Sequence, residues 1–296
     1  MRRARERAAF VALFLLPATA LYGLFVVWPV AQAFGLSLYR WRGVSEQKTF
    51  VGLGNFRRLL ADPVFGLSLL HNVELLVVAG AAILVIALAL AHALHTGGTG
   101  ARVLRSVYLF PQIISLVVVA ILWMFVLNPS FGILNGTLKA VGLPRLALDW
   151  LGTPDTALPA VGAAFVWHGL GFYVMLFSAG LRAIPVEVNE AALLDGVGGL
   201  TRFAHVTLPM LWAVMRVALV YLVINALNVF ALVYLMTVGG PDRRTEVMLT
   251  YLYEQGFRHS DFGFATALAV ANVAIVMALS AAVFAALRRD PREGRA

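Results

Sequence analysis

Residues 190–209 read Glu190-Ala191-Ala192-Leu193-Leu194-Asp195-Gly196-Val197-Gly198-Gly199-Leu200-Thr201-Arg202-Phe203-Ala204-His205-Val206-Thr207-Leu208-Pro209. Apolar runs flank this stretch, Ala160–Leu181 before it and Leu211–Met236 after it. Each is close to the roughly twenty residues that a helix needs to cross the hydrocarbon of a bilayer. A polar, glycine-broken segment between two such runs reads as a loop at a membrane face. The chain is therefore expected to be helical and membrane-spanning.

Working outward, four further runs qualify: Phe10–Trp28, Leu75–Ala93, Val107–Leu127 and Ala265–Leu287. The predicted fold is all-α and polytopic, with six transmembrane helices. Composition agrees, since 61% of the 296 residues are hydrophobic and 13% charged. A soluble domain of this length has no use for so much apolar surface, because its exterior must be wetted. The expected division is a basic tail at residues 1–9, a transmembrane domain at 10–287 containing the loop 184–209, and a second basic tail at 288–296.

The first run also has the look of a secretion signal, with Arg2, Arg3, Arg5 and Arg7 leading and Ala18-Thr19-Ala20 resembling a cleavage site. The apolar stretch continues past that site to Trp28 without a polar break, so it reads as an uncleaved first helix. The net charge is +8. Its basic residues stand at span ends and in loops rather than interleaved with aromatics, which points to membrane anchoring and away from nucleic acid. There are no cysteines, so disulfide and thiolate chemistry are excluded. Both tails are rich in arginine, and the loop-charge rule then places both termini in the cytoplasm. Three longer connections, Val30–Leu70, Asn128–Pro159 and Val238–Phe264, would lie outside, with possible short surface helices at Asn55–Leu60 and Val247–Tyr253. The inside would hold the short turn His95–Ala101 and the loop quoted above.

Several motifs are missing. No Gly-x-x-x-x-Gly-Lys-Ser/Thr occurs, and the only lysines are Lys48 and Lys139, so the chain lacks that phosphate-cradling loop. His92 and His95 have a spacing that metals use, but no third ligand is near and they read as interfacial histidines. Polar residues inside spans are functional candidates, because each is costly in hydrocarbon unless it faces the bundle or a cavity. Tyr221, Asn225 and Asn228 fall at i, i+4 and i+7 and share one helix face. Their neutral donors and acceptors suit a hydroxylated neutral solute, or else interhelical hydrogen bonding. Asn272, Trp167, His168 and Tyr173 are further candidates for the same cavity. Arg216 is close enough to a span end to snorkel. No span is expected to carry the Asp, Glu or Lys that proton- or sodium-coupled carriers keep near the midplane.

In the quoted loop, Pro185 suits a first helical turn and Glu187 the positive helix start. Gly196 is placed to end that helix in a left-handed conformation. Ala191 and Ala192 keep one side thin for close approach, Leu200–Val206 is predicted as a second short helix, and Pro209 opens the fifth span. Docking onto a partner and lying on the headgroups both satisfy these features.

The spacing Glu190-Ala191-Ala192, three residues, Gly196, nine residues, Val206-x-Leu208-Pro209 resembles the signature of ABC importer permeases, with valine at the isoleucine position. Phe50-Val51-Gly52-Leu53-Gly54-Asn55-Phe56 is similar to an outer-loop motif of their carbohydrate-importer branch. Gly239-Gly240-Pro241 with Thr245, Tyr253 and Phe257 resembles the segment before that branch's last span. The resemblance covers nearly the whole chain and favours the MalF- and UgpA-like group over its MalG-like partner. Six spans match shortened members of that group. Departures stand at Gly54, where the family commonly has Asp, and at Val197, Gly198 and Leu200, where it has Ala, a small polar residue and an aromatic. The last three would loosen or reshape the second docking helix.

The resemblance implies a MetI-like bundle in a bacterial inner membrane, with a second permease beside it and a cytoplasmic ATPase dimer below. The loop would be a coupling helix seated on that ATPase, through Glu190, Ala191, Ala192, Asp195, Gly196, Leu208 and Pro209. ATP and magnesium would serve the ATPase, and this chain would bind no cofactor and catalyse no reaction. An extracytoplasmic binding protein would deliver a sugar. A self-sufficient secondary carrier and a membrane scaffold are the competing readings.

Overall fold

The computed structural model describes residues 2–43, 47–95 and 107–288. The expected turn at 96–101, Arg102, Arg105 and the tail at 289–296 lie outside the described residues, as does the His95 side chain. Among the described residues, five helices are long and apolar enough to cross a membrane, and six if one bent pair counts as a single span.

α1 starts at Arg2, runs to Tyr22, widens by a π-helical turn at Gly23–Val27 and continues over Trp28–Leu36. The first span was expected over Phe10–Trp28, and the helix runs eight residues further. The wide turn just before Pro29 leaves room for a residue without an N–H, so the helix carries on. A two-stranded hairpin follows, β1 (Tyr39–Arg40) and β2 (Thr49–Phe50), and then α2 (Gly54–Ala61). α3 runs Pro63–Glu74, through a second wide turn at Leu75–Ala79, and on over Gly80–His95. The predicted span began at Leu75, so the helix gains three turns and takes in Glu74.

The third predicted span is broken. α4 (Val107–Ile113) and α5 (Leu116–Val126) meet at 117°. Ser115 is extended (φ −57°, ψ 137°) and Ile114 closes a turn onto the Pro111 carbonyl. Pro111, Gln112 and Ser115 interrupt the apolar run at this joint, but the long apolar stretches on either side outweigh them in a window of span length, which is why the run read as one span. α6 (Ile133–Ala140) precedes α7 (Pro154–Arg182), which begins six residues before the predicted Ala160. Thr153 is its extended cap, Pro154 opens it and Asp155 stands in its first turn, as helix starts favour. α8 (Val186–Leu194) and α9 (Gly199–Arg202, extended by Phe203–Thr207 and Leu208–Met210) form the quoted loop. The fifth span is α10 (Trp212–Leu227) and α11 (Ala231–Met236), parted at Asn228–Phe230. α12 (Met248–Tyr253) is short, but it is not the surface helix expected at Val247–Tyr253, since Met248, Thr250 and Tyr251 are buried and none of its residues is exposed. α13 (Phe262–Ala286) is the last spanning helix.

Two compact units divide the chain, Met1–Pro63 with Leu252–Val273, and Val64–Tyr251 with Ala274–Ala296. In the first, the Asn55 side chain donates to the carbonyls of Ser37 and Tyr39 at 2.8 and 2.9 Å, pinning α2 to the hairpin. Gly263 donates its N–H to Trp41, and a Cβ there would lie 2.1 Å from the Tyr39 carbonyl, so only glycine fits. Arg58 pairs with Asp261 and lies over the Phe264 ring at 4.1 Å.

In the second unit, α3 and α7 form the most closely packed helix pair. Lipid is as apolar as leucine, so helices associate through close packing and hydrogen bonds rather than through the hydrophobic effect. Small residues supply that approach: Ala87, Ala91, Ala164, Ala218 and Ala226 are wholly buried. Asn72 of α3 supplies the polar link, donating to the Ala226 carbonyl at 2.7 Å and accepting from the Met248 N–H at 2.9 Å.

Candidate functional site

The broken helices shape a cavity of about 300 Å³ within the second unit. One wall is α7, through Phe165, His168, Gly169, Phe172 and Tyr173. The other is the end of α10 and the break after it, through Tyr221, Asn225, Asn228 and Phe230. Unwinding at Asn228 turns the stripe into a cavity rim, because a continuous helix would fill that space with its own next turn.

The rings of Phe172 and Tyr221 lie 4.3 Å apart and those of Phe172 and Tyr173 5.3 Å, which makes an aromatic ledge. The Asn225 amide donates to the Tyr221 carbonyl and the Asn228 amide to that of Ile224, each at 2.8 Å. These bonds use donors and leave the Asn225 carbonyl oxygen as an acceptor on the cavity wall. His168 Nδ1 lies 3.0 Å from the Pro111 carbonyl. A carbonyl only accepts, so Nδ1 carries the proton and Nε2 is an acceptor in the neutral ring. That bond ties α7 to the joint between α4 and α5. Gly171 lets the two come close, since a Cβ there would lie 2.5 Å from the Tyr108 carbonyl.

Gln112 of α4 also lines the cavity, a residue that the sequence reading did not single out. Its carbonyl oxygen and the Tyr173 hydroxyl are buried with no protein partner. Buried polar atoms are nearly always bonded, and these two lack such a partner among the described residues. None of the described lining residues is Asp, Glu, Lys or Arg. Aromatic faces beside neutral acceptors match a molecule with hydroxyls at its edge and C–H groups on its face.

Two of the expected members are not among the lining residues. Trp167 turns instead to Trp123, with ring centroids 6.1 Å apart, because one residue along a helix rotates the side chain by about 100° from His168. Asn272 is buried on α13 in the other compact unit. Glu74 lines a separate apolar groove with Pro159 and Gly162. An acidic residue does therefore lie within a spanning helix, contrary to the sequence expectation, but it is not at the cavity.

The loop builds a second site. Pro185, extended at ψ 140°, caps α8 rather than entering its first turn. At the other end, Gly196 donates to Leu193 at 3.0 Å and Val197 to Ala192 at 2.9 Å, with Gly196 at φ 72°. This is the paired closure that left-handed glycines give helix ends. Glu190 and Asp195 are exposed and carry no ion pair among the described residues. Ala191 is exposed but Ala192 is buried, since consecutive residues cannot share a helix face. The outward apolar surface is instead Leu193, Leu194 and Leu200, the last two 89% and 86% exposed. Val197, Gly198 and Leu200 do not prevent a second helix, because α9 is helical from Gly199 through Met210. Pro209 falls in its last turn, and the fifth span opens after it at Trp212. Phe203 anchors α9, its ring edge-on to His92 at 4.7 Å. Leu211 packs where Gly180 leaves room.

Broken spanning helices around a neutral polar cavity, with an exposed helical loop between two spans, define a membrane-embedded solute-translocating subunit. Comparison with known proteins gives its kinship. Residues 83–290 match the family described as binding-protein-dependent transport system inner membrane component, and the chain belongs to that family. It is a multi-pass membrane permease, a translocation component rather than an enzyme. It is 37% identical over 270 residues to the probable ABC transporter permease protein YurN of Bacillus subtilis, covering 90% of this chain and 92% of that one. It is 35% identical to the diacetylchitobiose uptake system permease protein NgcF of Streptomyces coelicolor, covering 94% and 82%. It is 33% identical to the trehalose/maltose transport system permease protein MalF of Thermococcus litoralis, covering 90% of each. The fold is also that of a crystal structure of a bacterial ABC transporter involved in alginate import, with a TM-score of 0.84 at 22% identity over 98% of both chains.

Proposed function

We propose that this chain is one permease of an ATP-driven, binding-protein-dependent importer in a bacterial cell membrane, and that it passes a neutral carbohydrate by alternating access. The supporting observation is the cavity, whose aromatic ledge and neutral polar side chains, among them Gln112, Tyr173 and Asn225, lie among residues without charge. Relatives named for diacetylchitobiose and trehalose/maltose uptake support the same solute class.

The remaining parts are proposed from the family to which the chain belongs together with the exposed loop. A cytoplasmic ATPase dimer, which would use ATP and magnesium, seats α8 and α9 through Glu190, Asp195 and the exposed leucines. Gly196 sets the turn between the helices, while Leu208 and Pro209 carry motion into α10. A second permease completes the path, an extracytoplasmic binding protein loads it, and both termini face the cytoplasm. The ATPase can switch access only by contacting the two states differently.

Uptake of labelled di- and trisaccharides into proteoliposomes tests this reading, using the chain, its ATPase, its partner permease and the binding protein. Gln112→Leu and Asn225→Leu should weaken uptake of a neutral sugar without altering assembly. Unchanged uptake in both variants would reject the cavity as the sugar path.

A further inference from the structure

The groove that holds Glu74 runs between α3 and α7, within the second compact unit, and encloses about 200 Å³. Val78, Ala79 and Ala82 line it from α3, and Gly162 and Ala163 from α7. Glu74 stands about 16 Å from the Pro63 end of a helix about 48 Å long, which exceeds the roughly 30 Å of bilayer hydrocarbon. A centred helix therefore puts this carboxylate inside the hydrocarbon, near the face where α3 begins. It is exposed on this chain and has no ion pair among the described residues. A charge at that depth is costly unless a partner group meets it. The small side chains of the groove admit the ridge of another helix, a recess that acyl chains do not need.

Taking the chain as one permease of the proposed importer, we infer that a spanning helix of the second permease packs in this groove and brings a lysine or arginine to Glu74. The sign of the charge sets the partner's side chain, and the chain's own spans argue against a second copy. Those spans hold only two basic residues, Arg182 and Arg216. Arg182 ends α7, and Arg216 lies in the second turn of α10. Successive spans run in opposite directions, so both arginines stand at the membrane face away from Glu74. A pair of identical chains would leave the carboxylate without a cation. Glu74 thus selects an unlike partner that carries a cation at its own depth.

In the importer purified from its own cells through a tag on this chain, a diazirine amino acid encoded in place of Val78 reports what fills the groove. Irradiation should join it to a spanning helix of the second permease, within about two turns of a lysine or arginine. Glu74→Asp should retain most of the second permease, while Glu74→Leu and Glu74→Lys should retain about tenfold less, because the partner's cation is left unpaired. The membrane-inserted amount of each variant should match the parent by blot, since Glu74 has no ion pair among the described residues. Changing the cross-linked cation to Glu should restore retention by Glu74→Lys. The inference is overturned if the label joins only lipid, a second copy of this chain, or a helix with no cation in that range. It is overturned equally if Glu74→Lys retains as much second permease as the parent. A parent chain that brings no second permease would overturn the importer reading itself, and this pairing with it.

Discussion

At Gly196 the backbone takes a φ of 72°, and nothing lies within 4 Å of where a Cβ would stand. The position requires a conformation rather than space. A left-handed L-residue costs about 1–2 kcal/mol, more for a β-branched one. Gly196→Val should therefore displace the end of α8 while the spans insert normally. Uptake should fall by about tenfold or more for a strain of that size, with the membrane-inserted amount unchanged by blot. The cavity gives a second prediction at this scale. Asn225→Leu removes an acceptor facing solute, so the half-saturation concentration should rise about tenfold, which uptake kinetics would read. The sequence made Tyr221, Asn225 and Asn228 legible because helical spacing puts all three on one face. It placed Trp167 wrongly because adjacency in sequence is not adjacency on a helix. Gln112 was missed because it stands at the end of a short helix whose break no apolar run discloses.

Among the elements, α3 depends on Asn72, which joins α10 and α12 by two buried hydrogen bonds. Asn72→Leu leaves the Ala226 carbonyl and the Met248 N–H without their partner. The expected loss is about 1–3 kcal/mol of stability, read as a lower midpoint of thermal unfolding in detergent. Half-saturation for sugar should stay near the parent value, because Asn72 does not line the cavity. In α8 and α9, the exposed Leu194 and Leu200 form an apolar surface that water does not favour. Changing both to Glu should abolish co-purification of the ATPase while leaving thermal stability of the permease unchanged. Elements that rely on hydropathy alone were legible to within a few residues, as α7 and α13 illustrate. Those that stop inside an apolar run were not, since Ser115 and Asn228 end helices by backbone geometry amid residues that suit helix and break equally. α1 erred the other way, running past its expected end at Trp28 to Leu36, with Pro29 accommodated in the helix just after the π-turn.

For the whole molecule, the loop spacing around Glu190 and Gly196 carried more than composition did. Apolar runs establish a membrane bundle, but many machines share that property. The carboxylate-free spans had separated pumped from ion-coupled transport, and Glu74 removes that distinction at the level of sequence. The distinction now rests on the uncharged cavity, the exposed loop and the family to which the chain belongs. The proposed entry of energy through α8 and α9 has a direct consequence for the assembled transporter. In proteoliposomes with the ATPase, the partner permease and the binding protein, labelled disaccharide uptake should require ATP and binding protein together. It should be indifferent to a collapsed proton or sodium gradient, and Gly196→Val should lower it by about tenfold or more. Uptake that persists without ATP, or that follows the ion gradient, would contradict the assignment of this chain to an ATP-driven importer.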